Sequence, residues 1–444
     1  MRNLVVIHLE SISNQTMATF GRAFPATEAL AAESVRFDRF FASATSSLMV
    51  LASLWHGNSF ELDHGATLDA VRPAGLNRNM FSILGGKGWQ AHALCLNTNH
   101  RVSGSDISLW PGELRPVWGT DDADALLARF DAVTDNAPFA VYFWNLLTHI
   151  SNNTDATRAA GCLSGQQEGK YRATDALLGE MAAILGRKGL ADSTVLAVFG
   201  DHGDDFWAHG FNSGFVHAVG PYTSVLATPM FIRAPGVAPF RYARLASTVD
   251  IRNTVLGLLG VAAGPEHPGS GLDLLGGSNG VVFAQNLLAN QAYDDRVRIY
   301  KSYAAINDTH ILVASSRGLE LYDHQLDPAN GCNLLHLFRV WRDGTLHFDH
   351  EGSANEHLKD IFLDNRANLD HIEASLCGLH ASLEAFVRAK NARADRHPFD
   401  TDGLFRVNRK GYLGFYDHRE GGHAGEQIVR ALRLVKASRR RLAL

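Results

Sequence analysis

The sequence predicts an α/β fold in which a mixed, mostly parallel sheet is sandwiched by helices. Short apolar runs, rich in Val, Ile and aromatic residues, occur at 3–9, 140–144 and 193–199, as expected of strands buried on both faces of a parallel sheet. Amphipathic segments at 122–132 and 173–185 lie between them, with apolar residues at helical spacing. This alternation of strand, helix and strand indicates a layered α/β core.

The character of the sequence changes after residue 280. The run at 300–323 consists of short β-prone segments joined by turn residues, which predicts a small, largely antiparallel sheet. Further on, the pattern at 369–390 is helical. We therefore expect three parts: a main α/β unit at 1–280, a C-terminal sheet subdomain at 281–335 and a helical or irregular extension at 336–444.

Composition and charge are those of an ordinary folded protein. Hydrophobic residues make up 46% and charged residues 20% of the 444 residues. The net charge is −5 and no basic stripe covers the main body, so nucleic acid is a poor candidate partner. The segment at 426–441 has the pattern of a basic amphipathic helix, which could bind an acidic partner or a membrane surface but is more often a solvated face.

The cysteines and the N-terminus favour a cytoplasmic protein. Four cysteines occur far apart and form no CxxC pair, which argues against a zinc ribbon and a dense disulfide framework: Cys95, Cys162, Cys332 and Cys377. The first residues lack the apolar region of a secretory signal. No stretch approaches the roughly 18 to 20 apolar residues that a membrane span needs.

A metal site is the strongest functional signal. Asp201 and His202 follow the apolar run at 193–199 and offer a carboxylate and an imidazole, and Gly203 lets the backbone turn there. These donors suit Zn²⁺ or Mn²⁺ better than an all-oxygen Ca²⁺ site, although Ca²⁺ and Mg²⁺ stay open. Glu10 ends the first strand and could be a third ligand, its alternative being an exposed loop carboxylate.

A hydroxyl cluster, SATSSLM at 43–49, precedes an apolar helical pattern. Such a run is first of all a helix N-cap signal. A hydroxyl at that position also lies among free backbone N–H groups, which favour an anionic ester and a developing alkoxide. The cluster therefore predicts a helix start and, with it, a candidate nucleophile.

Six segments in order resemble the alkaline-phosphatase superfamily in its sulfatase-like branch, closest to the lipoteichoic acid synthase and phosphoethanolamine transferase group. Together they cover 3–335, and six matches in the right order are far more specific than one. The segments are VVIHLESIS, LLTHISN, VFGDHGDDFWAHG, GFVHAVGPYTSVLATPMFIRAPG, STVDIRNTVLGLLGV and LELYDHQLDPANGCNLL.

The resemblance implies an alkaline-phosphatase-like fold with a catalytic domain at 1–280 and a site built from matching positions. A divalent metal would be held by Glu10, Asp201, His202 and the nucleophile. His149 matches a substrate-facing histidine and His217 a second one, so both are candidates to bind ester oxygens and to protonate the leaving group. Second-ion candidates near the DHG motif are Asp204, Asp205 and His209, with loop solvation as the alternative.

The hydroxyl cluster departs from the sulfatase pattern and leaves two registers open. Ordinary sulfatases carry C/S-x-P-x-R, whose first residue becomes formylglycine, and this chain has neither that Pro nor that Arg. A direct hydroxyl nucleophile is therefore expected. Counting back from Gly57, the transferase spacing selects Thr45, which we favour as nucleophile and metal ligand, whereas the sulfatase spacing selects Ser47, and Ser46 lies between them.

The expected function is metal-dependent phosphoryl transfer, either hydrolysis of a phosphomonoester or phosphodiester, or transfer of a phosphoethanolamine or phosphoglycerol group. The substrate would be a small-molecule, glycan or lipid-headgroup ester of phosphate or sulfate. One alternative is a sulfatase that dispenses with formylglycine, and another is a catalytically silent binding module. The transferase relatives anchor through membrane helices, and this sequence shows none.

Overall fold

A computed structural model describes most of the N-terminal two thirds of the chain and parts of the C-terminal region. The described residues are 1–59, 77–96, 110–114, 116–149, 163–205, 217, 220–264, 269–286, 302–315, 318–331, 333–342, 345–348 and 366–391. The basic segment at 426–441 lies outside them. Among the described helices, none has the length and apolarity needed to cross a membrane.

An eight-stranded sheet forms the centre of the fold. Its strands are β1 (Asn3–Leu9), β2 (Val35–Phe41), β3 (Gln90–Leu96), β4 (Trp118–Thr120), β5 (Phe139–Asn145), β6 (Thr194–Gly200), β7 (Met230–Arg233) and β8 (Phe240–Ser247). Their order is β4-β3-β5-β1-β6-β7-β2-β8. Only β7 runs antiparallel to its neighbours β6 and β2, so the predicted mixed, mostly parallel sheet is confirmed.

Helices cover both faces of this sheet. They are α1 (Asn14–Thr19), α2 (Pro25–Ala32), α3 (Ser47–His56), α4 (Met80–Gly85), α5 (Ala123–Val133), α6 (Leu163–Arg187), α7 (Thr223–Leu226), α8 (Thr248–Leu258) and α9 (Arg366–Asn391). Short 3-10 turns occur at Gly21–Ala23, Gly112–Leu114, Ala191–Ser193 and Leu334–Leu337. The sandwich of helices around the sheet matches the expected fold class.

The two faces of β1 belong to two separate cores. Leu4 and Val6 pack into the core that contains α3 and α8. Val5, Ile7 and Leu9 pack into the core that contains α2, α5 and α6. Because side chains alternate along a strand, the residues at positions 8 and 10 point to the α3 side. This alternation decides which helix meets the polar end of β1.

A second, four-stranded antiparallel sheet follows, as predicted. It consists of β9 (Val282–Asn286), β10 (Ser302–Ile306), β11 (His310–Ser315) and β12 (Gly318–Asp323) in the order β12-β11-β10-β9. Its buried residues continue the core on the α3 side of the large sheet. A hairpin of β13 (Phe338–Arg342) and β14 (Thr345–Phe348) comes next. Helix α9 then packs on β10 and β11, and its Phe386 ring stacks on Phe283 with centroids 4.3 Å apart.

Candidate active site

The carboxyl ends of three adjacent strands meet at one edge of the large sheet. Strand β1 lies between β5 and β6 and runs parallel to both. The polar residues that follow these strands therefore converge, as the sequence led us to expect. A hydrogen bond of 2.5 Å from Thr148 Oγ1 to the Glu10 backbone carbonyl joins the end of β5 to the end of β1. This edge carries the candidate site.

Asp201 is held by backbone donors on one side only. Its Oδ1 accepts hydrogen bonds from the Ser11 N–H at 3.0 Å and the His202 N–H at 2.8 Å. Its Oδ2 faces two imidazoles, with His202 Nε2 at 3.3 Å and His8 Nε2 at 3.0 Å. Burial acts to raise the pKa of the Asp201 carboxyl, but the nearby His202 and His8 hold that pKa below its usual value.

Glu10 is fully buried and surrounded by neutral hydrogen-bond donors. Its Oε1 accepts from Ser11 Oγ at 3.2 Å and from Ser47 Oγ at 3.1 Å, and its Oε2 accepts from Trp144 Nε1 at 2.8 Å. Burial, together with the negative charge of Asp201, raises the pKa of Glu10 well above its ordinary value. The described groups around Glu10 therefore stabilise its protonated form over its charged form.

The surroundings of His202 fix which of its ring nitrogens is available. Nδ1 lies 3.1 Å from the Gly203 carbonyl, which can only accept, so Nδ1 carries the proton. Nε2 is then a free lone pair, 3.1 Å from Ser47 Oγ and 3.7 Å from Glu10 Oε1. Burial lowers the pKa of His202 to about 4, so the ring is neutral near pH 7. A neutral imidazole with a free Nε2 is a suitable metal ligand.

Ser47, and not Thr45, reaches this cluster. The segment before α3 pairs with β9 through a bridge between Ala44 and Gln285, so that the Thr45 hydroxyl donates to Asn286 Oδ1 at 2.9 Å. Ser46 is the extended N-cap residue, and Ser47 is the first residue of α3. The structure therefore favours the second of the two registers and directs Thr45 away from Glu10 and His202.

The two predicted histidines lie beside the cluster. The His217 ring centroid is 4.1 Å from that of His202 and 5.4 Å from that of His149. Asp204 Oδ1 lies 3.2 Å from His217 Nδ1 and so orients the His217 ring. Asp205 accepts a hydrogen bond from Ser224 Oγ at 3.4 Å, and His209 lies outside the described residues. The imidazoles of His149 and His217 therefore line one side of the candidate site.

The donor set fits a divalent metal. Glu10 and Asp201 are both buried, and within the described part of the chain their ion-pair partners are the imidazoles of His8 and His202. A buried carboxylate without a cation is costly, and a metal would neutralise both charges. Ligand atoms of His8, Glu10 and Asp201 all lie within 4.8 Å of one another. Mixed nitrogen and oxygen donors suit Zn²⁺ or Mn²⁺.

Three residues of the site escaped the sequence analysis. His8 lies on the same face of β1 as Glu10, and a histidine inside an apolar strand could have been a signal. Ser11 has a left-handed φ of 55°, a costly conformation that directs both its N–H and its hydroxyl into the cluster. Trp144 lies in an apolar run, where a tryptophan is usually a core residue.

Gly203 is needed because an added Cβ would lie 2.4 Å from Ser13 Cβ.

Comparisons with known proteins agree with this fold. The sulfatase family model matches residues 2–261. No curated protein matches the chain. A solved 2-O GAG sulfatase is 15% identical, with a TM-score of 0.60 over 89% of this chain and 95% of that one.

Two further solved structures share this fold. The lipoteichoic acid synthase LtaP from Listeria monocytogenes is 14% identical, with a TM-score of 0.54 over 85% of this chain and 93% of that one. An alkaline phosphatase superfamily protein from Vibrio parahaemolyticus is 15% identical, with a TM-score of 0.54 over 84% of this chain and 88% of that one. At these identities the likeness concerns the fold alone.

Proposed function

The chain belongs to the sulfatase family and is a sulfatase-like enzyme, and we propose that it transfers a phosphoryl group through a covalent intermediate on Ser47. The observation that carries this proposal is the position of one hydroxyl. Ser47 Oγ lies 3.1 Å from both Glu10 Oε1 and His202 Nε2. Ser47 thus replaces Thr45 as the proposed nucleophile.

The position of Ser47 in α3 suits an anionic ester. Ser47 is the first residue of a ten-residue helix whose N-cap, Ser46, makes no side-chain capping hydrogen bond. The first N–H groups of a helix have no partner within it, and with the helix dipole they favour a bound anion. A phosphate ester docked there would place its central atom next to the Ser47 hydroxyl.

The metal site would complete the centre. Glu10, Asp201 and His202 are the proposed ligands, with Zn²⁺ or Mn²⁺ the preferred ion and Ca²⁺ or Mg²⁺ less suited to the imidazole. A divalent metal bound there would supply positive charge that favours the Ser47 alkoxide and the charged ester oxygens. In the metal-free protein the Glu10 carboxyl group accepts the Ser47 hydrogen bond, which fixes the position of the Ser47 oxygen.

The proposed reaction has two displacements. Ser47 Oγ forms a bond to phosphorus, the bond to the alcohol oxygen breaks, and the Ser47 proton is lost to solvent. His149 or His217 donates a proton to the departing alcohol, because a protonated imidazole is a suitable general acid near pH 7. Water then releases the phosphoryl group from Ser47, or an acceptor hydroxyl takes it, which makes the enzyme a hydrolase or a transferase.

Hydrolysis of a sulfate ester is the second candidate. The family match and the fold shared with a 2-O GAG sulfatase support it. Against it stands the sequence after Ser47, in which Met49 and Leu51 occupy the places of the Pro and Arg of the formylglycine motif. The hydroxyl of Ser47 is therefore expected to react unmodified, which we take to favour phosphorus over sulfur.

A panel of esters tests the proposal. Purified protein with added Zn²⁺ or Mn²⁺ is assayed with nitrophenyl phosphate, a bis-nitrophenyl phosphodiester and nitrophenyl sulfate. We expect turnover of a phosphate ester that S47A abolishes, by at least about 1,000-fold as for other nucleophile deletions. The matched control T45V should keep most of its activity. Preferential turnover of the sulfate ester, or activity lost with T45V and kept with S47A, would overturn the proposal.

A further inference from the structure

We propose that His8 is a fourth metal ligand, so that two imidazoles and two carboxylates surround the ion. This inference rests on the metal site of the proposed function and adds a residue to it. His8 is fully buried in β1, on the same face as Glu10. Its Nε2 lies 3.0 Å from Asp201 Oδ2 and 3.7 Å from Glu10 Oε2.

The spacing of the donor atoms fits one shared ion. His202 Nε2 lies 3.3 Å from Asp201 Oδ2 and 3.7 Å from Glu10 Oε1, whereas His8 Nε2 lies 3.0 Å from Asp201 Oδ2 and 3.7 Å from Glu10 Oε2. Ligands about 2.1 Å from a tetrahedral ion are about 3.4 Å apart. The two imidazoles therefore lie at similar distances from Asp201 Oδ2, and each lies next to a different oxygen of Glu10.

Two buried polar atoms that make no hydrogen bond also support a metal at this position. Within the described residues, His8 Nε2 and Asp201 Oδ2 are buried and complete no hydrogen bond, although they face each other at 3.0 Å. Buried polar atoms rarely stay without a partner because the loss of hydration costs about 1–3 kcal/mol. A cation between the carboxylate oxygens and His8 would satisfy both atoms at once.

The packing around the His8 ring already orients its Nε2 toward the two carboxylates. It stacks between Trp144, at a centroid distance of 5.0 Å and an angle of 9°, and Phe199, at 5.2 Å and 26°. Its Nδ1 lies 3.0 Å from the Tyr142 hydroxyl, which can accept a hydrogen bond from the Nδ1–H group. Histidines that bind metals usually donate their second ring N–H in this way. Nε2 would then be unprotonated and directed at the carboxylates.

The charges also balance. Two carboxylates and two neutral imidazoles carry two negative charges, which a divalent ion neutralises. The alternative role for His8 is positional, with Nε2–H donating to Asp201 and the Tyr142 hydroxyl donating to Nδ1. In that case His8 would orient Asp201 without contacting the metal. The two roles differ in how many imidazoles surround the ion.

X-ray absorption of zinc-loaded protein counts those imidazoles. Chelator-treated protein receives one equivalent of Zn²⁺, and scattering from the imidazole rings gives the number bound. We expect two in the wild type and one in H8F, whose ring can keep the stack with Trp144 and Phe199. Competition with a chelator should show zinc affinity reduced more than 100-fold, beyond the roughly 10–100-fold loss typical of residues that only orient a ligand. One imidazole in the wild type overturns the inference.

Controls separate this inference from the proposed function. H217F should keep two imidazoles, because His217 contacts Asp204 and not the metal, and loss of one there would assign the second imidazole to His217 and refute the role of His8. H310Q, at a buried histidine of β11, should change nothing. Stoichiometric zinc with one imidazole refutes only His8, whereas wild-type protein that binds no zinc also refutes the metal site. If H8F does not fold, the wild-type and H217F spectra still decide.

Discussion

Replacing Glu10 by Gln should stabilise the metal-free protein, and increasingly so as the pH rises. Glu10 is fully buried, and its hydrogen bonds come from the neutral donors of Ser11, Ser47 and Trp144. Burial and the charge of Asp201 raise the pKa of Glu10 well above 4.5. The folded protein therefore keeps a proton on Glu10 at pH values where the unfolded chain has already lost it.

The sign and size of the effect follow from that difference in bound protons. Above pH 4.5 the unfolded state binds one proton fewer than the folded state, so the free energy of unfolding falls as the pH rises. The slope approaches about 1.4 kcal/mol per pH unit, or about 2.7 kcal/mol over two units, while folded Glu10 stays protonated. E10Q has no such proton to lose.

Other titrating groups of the site cancel in this comparison. The pKa values of Asp201 and His202 are lowered, so each contributes stability that is lost as the pH falls. For His202 the window runs from its ordinary 6.5 down to about 4. Both groups are present in the wild type and in E10Q, so the difference between the two proteins isolates Glu10.

Urea unfolding of both proteins from pH 5 to 8, with a chelator present, measures this difference. E33Q is the matched control, because it removes a carboxylate of the same type from a side chain that is 69% exposed. Added Zn²⁺ should reverse the order, since only the wild type keeps the full ligand set. A pH-independent difference between E10Q and wild type in chelator would refute the reasoning about the buried carboxylate.

Two further substitutions test the packing around the site. In thermal unfolding, G203A should lower the free energy of unfolding by about 1–3 kcal/mol, because its Cβ would lie 2.4 Å from Ser13 Cβ. The control G186A lies in α6 with open space around the added Cβ, so it should be neutral or stabilising in the same assay. W144F should weaken zinc binding about 10-fold in chelator competition, because Glu10 loses the hydrogen-bond donor that orients its carboxylate. An unchanged zinc affinity would show that this hydrogen bond is not needed.

Local patterns were enough to predict the fold and the strand ends that meet at one edge of the sheet. The runs at 3–9 and 193–199 are strands β1 and β6, and their adjacency brings together the ends that carry Glu10, Asp201 and His202. This works because a buried parallel strand has a characteristic composition and because the chemistry of such sheets lies at one edge.

The choice of hydroxyl needed a long-range contact. Thr45 and Ser47 lie in one short polar run, and nothing local separates them. The bridge from Ala44 to Gln285, 241 positions further along the chain, directs Thr45 to Asn286 and leaves Ser47 for the cluster. Such pairing between distant segments produces no hydrophobic periodicity in either segment from which it could be predicted.

His8 was missed for a different reason. A histidine inside an apolar strand is usually a satisfied core residue. Its importance depends on Asp201 Oδ2 at 3.0 Å, across the neighbouring strand, and on the aromatic rings that hold it.

The most direct test of the account is to identify the residue that becomes covalently modified. The metal-loaded enzyme is mixed with a phosphate ester, quenched in acid during turnover and digested, and fragmentation mass spectrometry locates the phosphoryl group. We predict that Ser47 carries it and that S47A shows no modified residue in that peptide. A phosphoryl group on Thr45, or an unmodified peptide from an enzyme that is turning over, would contradict the account.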